Sequence, residues 1–262
     1  MAADGAQTQA PAIFERVLCG VDGTPESLVA VRQAVRLHDP HGRLHLTFVA
    51  PLAKAAHAGI AAPHAAELLE HEAQAALSEA RAIAPSASAK LVNGDPVPVL
   101  LQELEAEQAT LVAVGSHGRR RAAAILLGTV AGRMLRDAPC SVFIARAARD
   151  PDTWPQSVVV GIDGSAESAA AFMVARSLAE RFGASMRAVA SSGDQFDREA
   201  AQEITGELEE QPVRAVDALA AASDSADLVI VGSRGLHGLK ALGSVSERVA
   251  NRARSSVLVV RR

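Results

Sequence analysis

The chain has 262 residues, enough for one large or two ordinary globular domains, and is 49% apolar and 21% charged with a formal net charge of −4. That balance excludes a disordered polyelectrolyte and supplies neither a basic stripe for a nucleic acid nor a pull toward an anionic membrane. Only two cysteines, Cys19 and Cys140, are present, without Cys-x-x-Cys spacing, which excludes a disulfide framework and a paired redox motif.

Residues 1–14 carry Asp4, no Lys or Arg, and no apolar core of a signal peptide, so a cytoplasmic protein is expected. A first apolar strand is predicted over Val17–Val21 and a helix over Glu26–His38, with Thr24 placed to cap it and Pro25 in its first turn. Strands over Arg43–Val49, Ala87–Val92, Thr110–Gly115 and Ser141–Ala145 then alternate with helices over Ala65–Ala84, Val97–Ala106 and Thr129–Asp137. Pro85 and Pro139 stand just past two of these helices, where the chain must leave. Because the strands are apolar almost throughout, both faces of a parallel sheet must be covered, which gives a doubly wound α/β domain. The longest apolar stretch with a membrane-like look, Ala122–Gly132, has 11 residues against the roughly 20 a span needs.

Asp150–Pro155 breaks the pattern, and beyond it the chain repeats. Val17–Ser27 lies over Val158–Ser168 at an offset of 141, Leu111–Gly118 over Leu228–Gly235 at 117, and Gly128–Arg146 over Gly243–Arg261 at 115. Two tandem domains are therefore expected, 14–147 and 157–262, the second trimmed in its middle. There the sequence offers only a short helix around Asp197–Ile204 and a weakly written strand near Glu207–Glu209.

In open α/β sheets, ligands sit beyond the carboxyl ends of the strands where the strand order reverses. After the fourth strand come Gly115-Ser116-His117-Gly118, nine residues, and Gly128-Thr129 opening a helix. Glycines allow close backbone approach, and a hydroxyl with the first helical N–H groups makes an anion site suited to phosphate. The other reading is that the glycines only shape a turn and a helix entry, and that Asp22 only closes the turn before the first helix.

Gly-x2-Gly-x9-Gly-Thr after this strand, with Gly20-Val21-Asp22-Gly23-Thr24 on the first strand and Gly94-x-Pro96 before the third helix, resembles the universal stress protein family. The resemblance covers both halves and implies, in each, a five-stranded parallel sheet ordered 3-2-1-4-5, with adenine nucleotide at the switch point in the ATP-binding branch. It implies that Asp22 and Val49 lie by the adenine, that Gly115, His117 and Gly118 border ribose and phosphates, and that Gly128, Thr129 and Val130 hold phosphate. In the second copy Asp163, Gly232, Gly235, Gly243 and Ser244 match, but the loop between the glycines is two residues shorter and the middle helix is reduced.

No Gly-x4-Gly-Lys-Ser/Thr loop and no Gly-x-Gly-x-x-Gly after the first strand is present, which removes the usual NTPase and dinucleotide motifs. No acid, base or nucleophile pair stands beside the phosphate loop, so a catalytic role is not expected, and slow hydrolysis of Mg2+-bound ATP stays open. Arg119–Arg121 reads as a solvated loop that could meet phosphates, and His64, Glu67 and His71 as an exposed helix face without a fourth metal ligand. The expected function is nucleotide-dependent regulation or stress response, with ATP mainly in the first copy, cyclic AMP as the alternative ligand, a homodimer, and an unidentified protein partner. The rival is a nucleotide-independent scaffold that dimerises through sheet edges, the final strand Ser256–Val260 above all.

Overall fold

A computed structural model describes residues 14–51, 62–117, 127–194, 196–233 and 244–261. In the first half the strands are β1 (Arg16–Val21), β2 (Arg43–Ala50), β3 (Ser88–Asn93), β4 (Leu111–Gly115) and β5 (Ser141–Ala145). The helices are α1 (Pro25–Leu37), α2 (Ala62–Ile83), α3 (Pro96–Ala106) and α4 (Thr129–Asp137). Local chemistry fixes their starts: the Thr24 hydroxyl accepts from Ser27 N, the Asp95 carboxylate accepts from Val97 N, and a proline occupies the first turn of both α1 and α3.

The second half repeats the series with β6 (Ser157–Gly161), α5 (Ala166–Phe182), β7 (Ser185–Ser191), α6 (Arg198–Thr205), β8 (Glu209–Gln211), α7 (Ala215–Ala222), β9 (Leu228–Gly232), α8 (Val245–Arg252) and β10 (Ser256–Val260). The weak third strand of this half falls two residues later than the sequence suggests, where Val189 to Ser191 of β7 provide its ladder. Leu100 of α3 and Leu219 of α7 pack against the equivalent positions Gly20 and Gly161, so by helix register Gly94, at φ +150°, stands against Val213. The sequence match through Pro96 and Pro212 would have placed it against Glu210.

Both halves have the expected order 3-2-1-4-5 and are parallel within themselves, and they share one ten-stranded sheet, β3-β2-β1-β4-β5-β10-β9-β6-β7-β8. The join is antiparallel, with Val142, Phe143 and Ile144 of β5 opposite Val259, Leu258 and Val257 of β10. Every residue of these two strands is buried, so pairing them removes two apolar edges that would otherwise recruit another chain. The final strand, expected to serve a dimer between chains, is thus paired inside this one.

Two arginines lock the join with the same crossing contact. Arg146, just past β5, donates through its guanidinium to Ala250 O at 2.5 Å and Ser255 O at 3.3 Å, at the end of α8. Arg261, just past β10, donates to Leu135 O and Ala138 O at the end of α4. Each cation meets carbonyls at the negative end of the other half's helix. Burial lowers the pKa of both, that of Arg146 to about 10. Trp154 closes the linker, its ring buried 5.9 Å from that of Phe143 and its indole N–H donating to Asp227 O.

Candidate nucleotide site and its counterpart

Beyond β1 the chain turns sharply through Gly23, at φ +76°, into the cap of α1. Asp22 Oδ1 accepts from Thr24 N at 3.0 Å and from Thr24 Oγ1 at 2.5 Å. The same turn recurs at Asp163, whose Oδ1 accepts from Ser165 N at 3.0 Å and Ser165 Oγ at 2.5 Å. Both aspartates therefore organise an Asx turn, which holds each carboxylate at the carboxyl end of its sheet. Val49, next to last in β2 and paired in register with Val92, is half-buried against the same layer as α3.

Gly115 ends β4 because α1 leaves no room for a side chain: a Cβ there would lie 2.8 Å from the Glu26 carbonyl carbon. Gly232 meets the same constraint more tightly, with Glu167 O at 2.4 Å from a Cβ. These two glycines have a packing reason that stands apart from any ligand. Beyond Gly115, buried Ser116 donates its N–H to Ala145 O and accepts at its carbonyl from Gly128 N at 2.8 Å. That bond brings the two ends of the glycine motif together. His117 lies beside it, its Nδ1 3.0 Å from Ser116 Oγ. Gly118, Gly235, Gly243 and residues 119–121 lie outside the described residues.

The helix entries that follow differ. At α4 the cap is Gly128, which has no side chain to bond the first amides, Thr129 is exposed in the first turn, Val130 is half-buried, and the first turn holds no acidic residue. At α8 the cap is Ser244, whose hydroxyl accepts from Glu247 N at 3.2 Å. Glu247 itself sits in that first turn and pairs with Arg136 of α4 at 3.1 Å. The second half thus meets one helix-start donor, Glu247 N, with the Ser244 hydroxyl, where the cap of α4 has no side-chain hydrogen bond.

In the second half the described residues line an open cavity of about 370 Å3. Its walls come from the ends of β6, β7 and β9, the starts of α5, α7 and α8, and Leu135 from the other half. Asp163, Gly232 and Ser244 line it, as do Asp194 and Phe196, which sequence reasoning did not single out. Both lie in the trimmed middle segment, where the repeat offers no counterpart to draw attention to them; Phe196 is one of only six phenylalanines. The cysteines lie away from these sites, and burial pushes their thiols up, Cys19 to about 12 and Cys140 to about 11. Among the described residues there is no group of three or more His, Cys, Asp or Glu that could hold a metal, and no helix is long and apolar enough to cross a membrane.

This architecture recurs in solved proteins. A universal stress protein from Archaeoglobus fulgidus superposes with a TM-score of 0.74 at 23% identity, covering 94% of this chain and 96% of its own. Among curated proteins, a universal stress protein of Mycobacterium tuberculosis is 34% identical over 206 residues, 67% of this chain and 69% of the relative. A second from the same organism is 28% identical over 288 residues, 94% of this chain and 96% of the relative. The sequence model described as the universal stress protein family matches residues 13–146 and 188–261. With the motif, the strand order and the repeat all in agreement, the chain belongs to the universal stress protein family, as a tandem member.

Proposed function

We propose that this protein is a cytoplasmic, nucleotide-dependent regulator of the stress response, organised as domains 14–147 and 157–262, that holds ATP in its first half. The observation that carries the reading is the bare start of α4: Gly128 offers no cap, no acid stands in the first turn, and Thr129 adds a hydroxyl. Free N–H donors at the positive end of a helix are suited to phosphate. Asp22 and Val49 would meet the adenine, and Gly115, His117 and Gly118 the ribose and phosphates. Mg2+ would accompany ATP as the counter-ion of its phosphates. Cyclic AMP would use the same base contacts with a single phosphate at α4. In the second half, Asp163, Gly232, Gly235, Gly243 and Ser244 keep the family pattern, but the Ser244 hydroxyl already occupies Glu247 N, which weakens the case for phosphate there.

Association with a protein partner or a second copy would be the output, and a ligand can drive it only by binding the two states with different affinity. Because β5 and β10 pair within the chain, a homodimer would use other surfaces. The scaffold reading keeps no special support from the β10 edge.

Gly128→Val tests the site. Gly128 has φ −61° and ψ 160°, a conformation open to valine, so the fold should persist while the branched side chain blocks phosphate. ATP affinity, followed by titration calorimetry and native mass spectrometry, should fall about a hundredfold, equivalent to about 2.7 kcal/mol. Unchanged affinity in a folded chain would remove α4 from the site.

A further inference from the structure

We propose that Asn251, in the second half, is a positioning residue for the phosphate end of the first half's site, holding the chain at the entry of α4. The inference rests on the reading that ATP binds the first half at that entry. Two main-chain amides fix the entry. Gly128 N donates to Ser116 O at 2.8 Å within the first half, and Leu127 N donates to Asn251 Oδ1 at 3.3 Å across the join. The first bond alone leaves the chain free to pivot about it, and the second, one residue earlier, removes that freedom.

Asn251 is itself held in place. Its Nδ2 donates to Glu247 O, one turn earlier on α8, at 2.9 Å, which leaves the amide oxygen to face Leu127. Glu247 is tied down in turn, its N–H by the Ser244 hydroxyl at 3.2 Å and its carboxylate by Arg136, in the last turn of α4, at 3.1 Å. α8 thus grips α4 at both ends. The grip runs one way, because by the repeat Asn251 and Glu247 match Arg136 and Gly132. An arginine side chain has no acceptor and a glycine has no side chain, so neither can do for the second half what Asn251 does for the first. The half whose helix lacks a side-chain cap is the one that borrows a side chain from its neighbour. A phosphate bound by the first amides of α4 needs them fixed in place and direction, and without the anchor part of the binding energy goes into ordering them.

The test uses the full chain with ATP and adenosine as probes. Asn251→Ala removes the acceptor from a half-buried position and should weaken ATP binding about fivefold by titration calorimetry, the share of one hydrogen bond. Adenosine, which has no phosphate, should bind the variant and the wild-type chain alike, a split that general loosening of the fold would not produce. Without ligand, the Leu127 amide should exchange with solvent at least about fivefold faster in the variant by NMR, while the amides of β1 keep their rates. Unchanged ATP affinity, an equal loss for adenosine, or an unchanged Leu127 exchange rate would each overturn the proposal. If Gly128→Val leaves ATP affinity intact, the reading of the first half fails and this inference falls with it. If Gly128→Val abolishes ATP binding while Asn251→Ala does not alter it, only this inference fails.

Discussion

The starts of α4 and α8 follow equivalent strands and lead into equivalent helices, each start lying beside the far end of the other helix, with Leu127 N on Asn251 and Arg136 on Glu247, yet one is capped by a glycine and the other by a serine hydroxyl. By the repeat Gly128 and Thr129 match Gly243 and Ser244, and Ala131 matches Ser246, but the second helix begins one residue later, so that its cap is Ser244 where α4 has Gly128. What changes is how the first amides of the helix are met, while the glycines that permit close packing, Gly115 and Gly232, stay fixed by the main chain beside them.

The comparison is sharpest where the two halves are mechanically joined. Replacing Arg146 by Met keeps the stem but strands Ala250 O and Ser255 O, and should cost about 2–3 kcal/mol in chemical denaturation, the usual range for a hydrogen bond to a charged group. Arg261→Met should cost less, because Arg261 is the less buried of the pair. Equal and negligible losses would mean that the antiparallel β5–β10 ladder alone holds the halves together.

Much of this was legible in the sequence. Thr24 at the head of α1, the prolines at 25 and 96, and the apolar runs at 111–115 and 228–232 each have a local cause, and the structure places those elements within one or two residues. The helix over Thr129–Asp137 and the strand over Ser141–Ala145 keep the predicted bounds. The β5–β10 join was not readable, since two fully apolar strands indicate burial without naming the neighbour. Nor were the crossing arginines, whose partners are carbonyls without a side-chain signature. At the site, the Asp22 position was readable, but its bonds to the Thr24 amide and hydroxyl show a turn role that the motif alone left open. The cavity's Asp194 and Phe196 come from the segment in which the second copy departs from the first, so the repeat that revealed the fold concealed them.

Adding the small side chain that the end of each fourth strand forbids should come next in size. Gly232→Ala and Gly115→Ala each place a methyl against α5 or α1 main chain and should lower stability by about 1–3 kcal/mol, the cost of overpacking. Gly232→Ala should have the larger effect, as its closest approach is 2.4 Å against 2.8 Å. Melting curves of the two variants would expose an error in that order.

Exchanging the caps tests the contrast itself. Ser244→Ala should cost about 1 kcal/mol by freeing Glu247 N. Gly128→Ser should change stability by only a few tenths in the favourable direction, yet it should weaken ATP binding by roughly tenfold, since its hydroxyl competes with phosphate for the same amides. An unaltered ATP affinity would mean that the open cap at α4 is not what admits the nucleotide.

The smallest effect separates the halves by their thiols. Both cysteines belong to the first half; the residues at equivalent positions in the second are Val160 and Ser255. Burial raises the Cys19 and Cys140 pKa values from 9.0 to about 12 and about 11, so in the folded chain both stay protonated where the unfolded chain ionises. Above pH 9 the unfolded state therefore holds fewer protons than the native state, and stability falls as pH climbs. The contribution is intact below that point and is lost progressively up to the folded-state values. At pH 9 the loss should be only about 0.4 kcal/mol per thiol, half-ionisation of the unfolded group giving RT ln 2. Cys19→Val, which copies the second half's residue onto the first, should flatten the decline between pH 8 and pH 10 in urea titrations. Hydrogen exchange over the same interval should quicken in β1 before β6, because only β1 carries an ionisable group in its core; simultaneous softening of both strands would count against thiol ionisation as the cause.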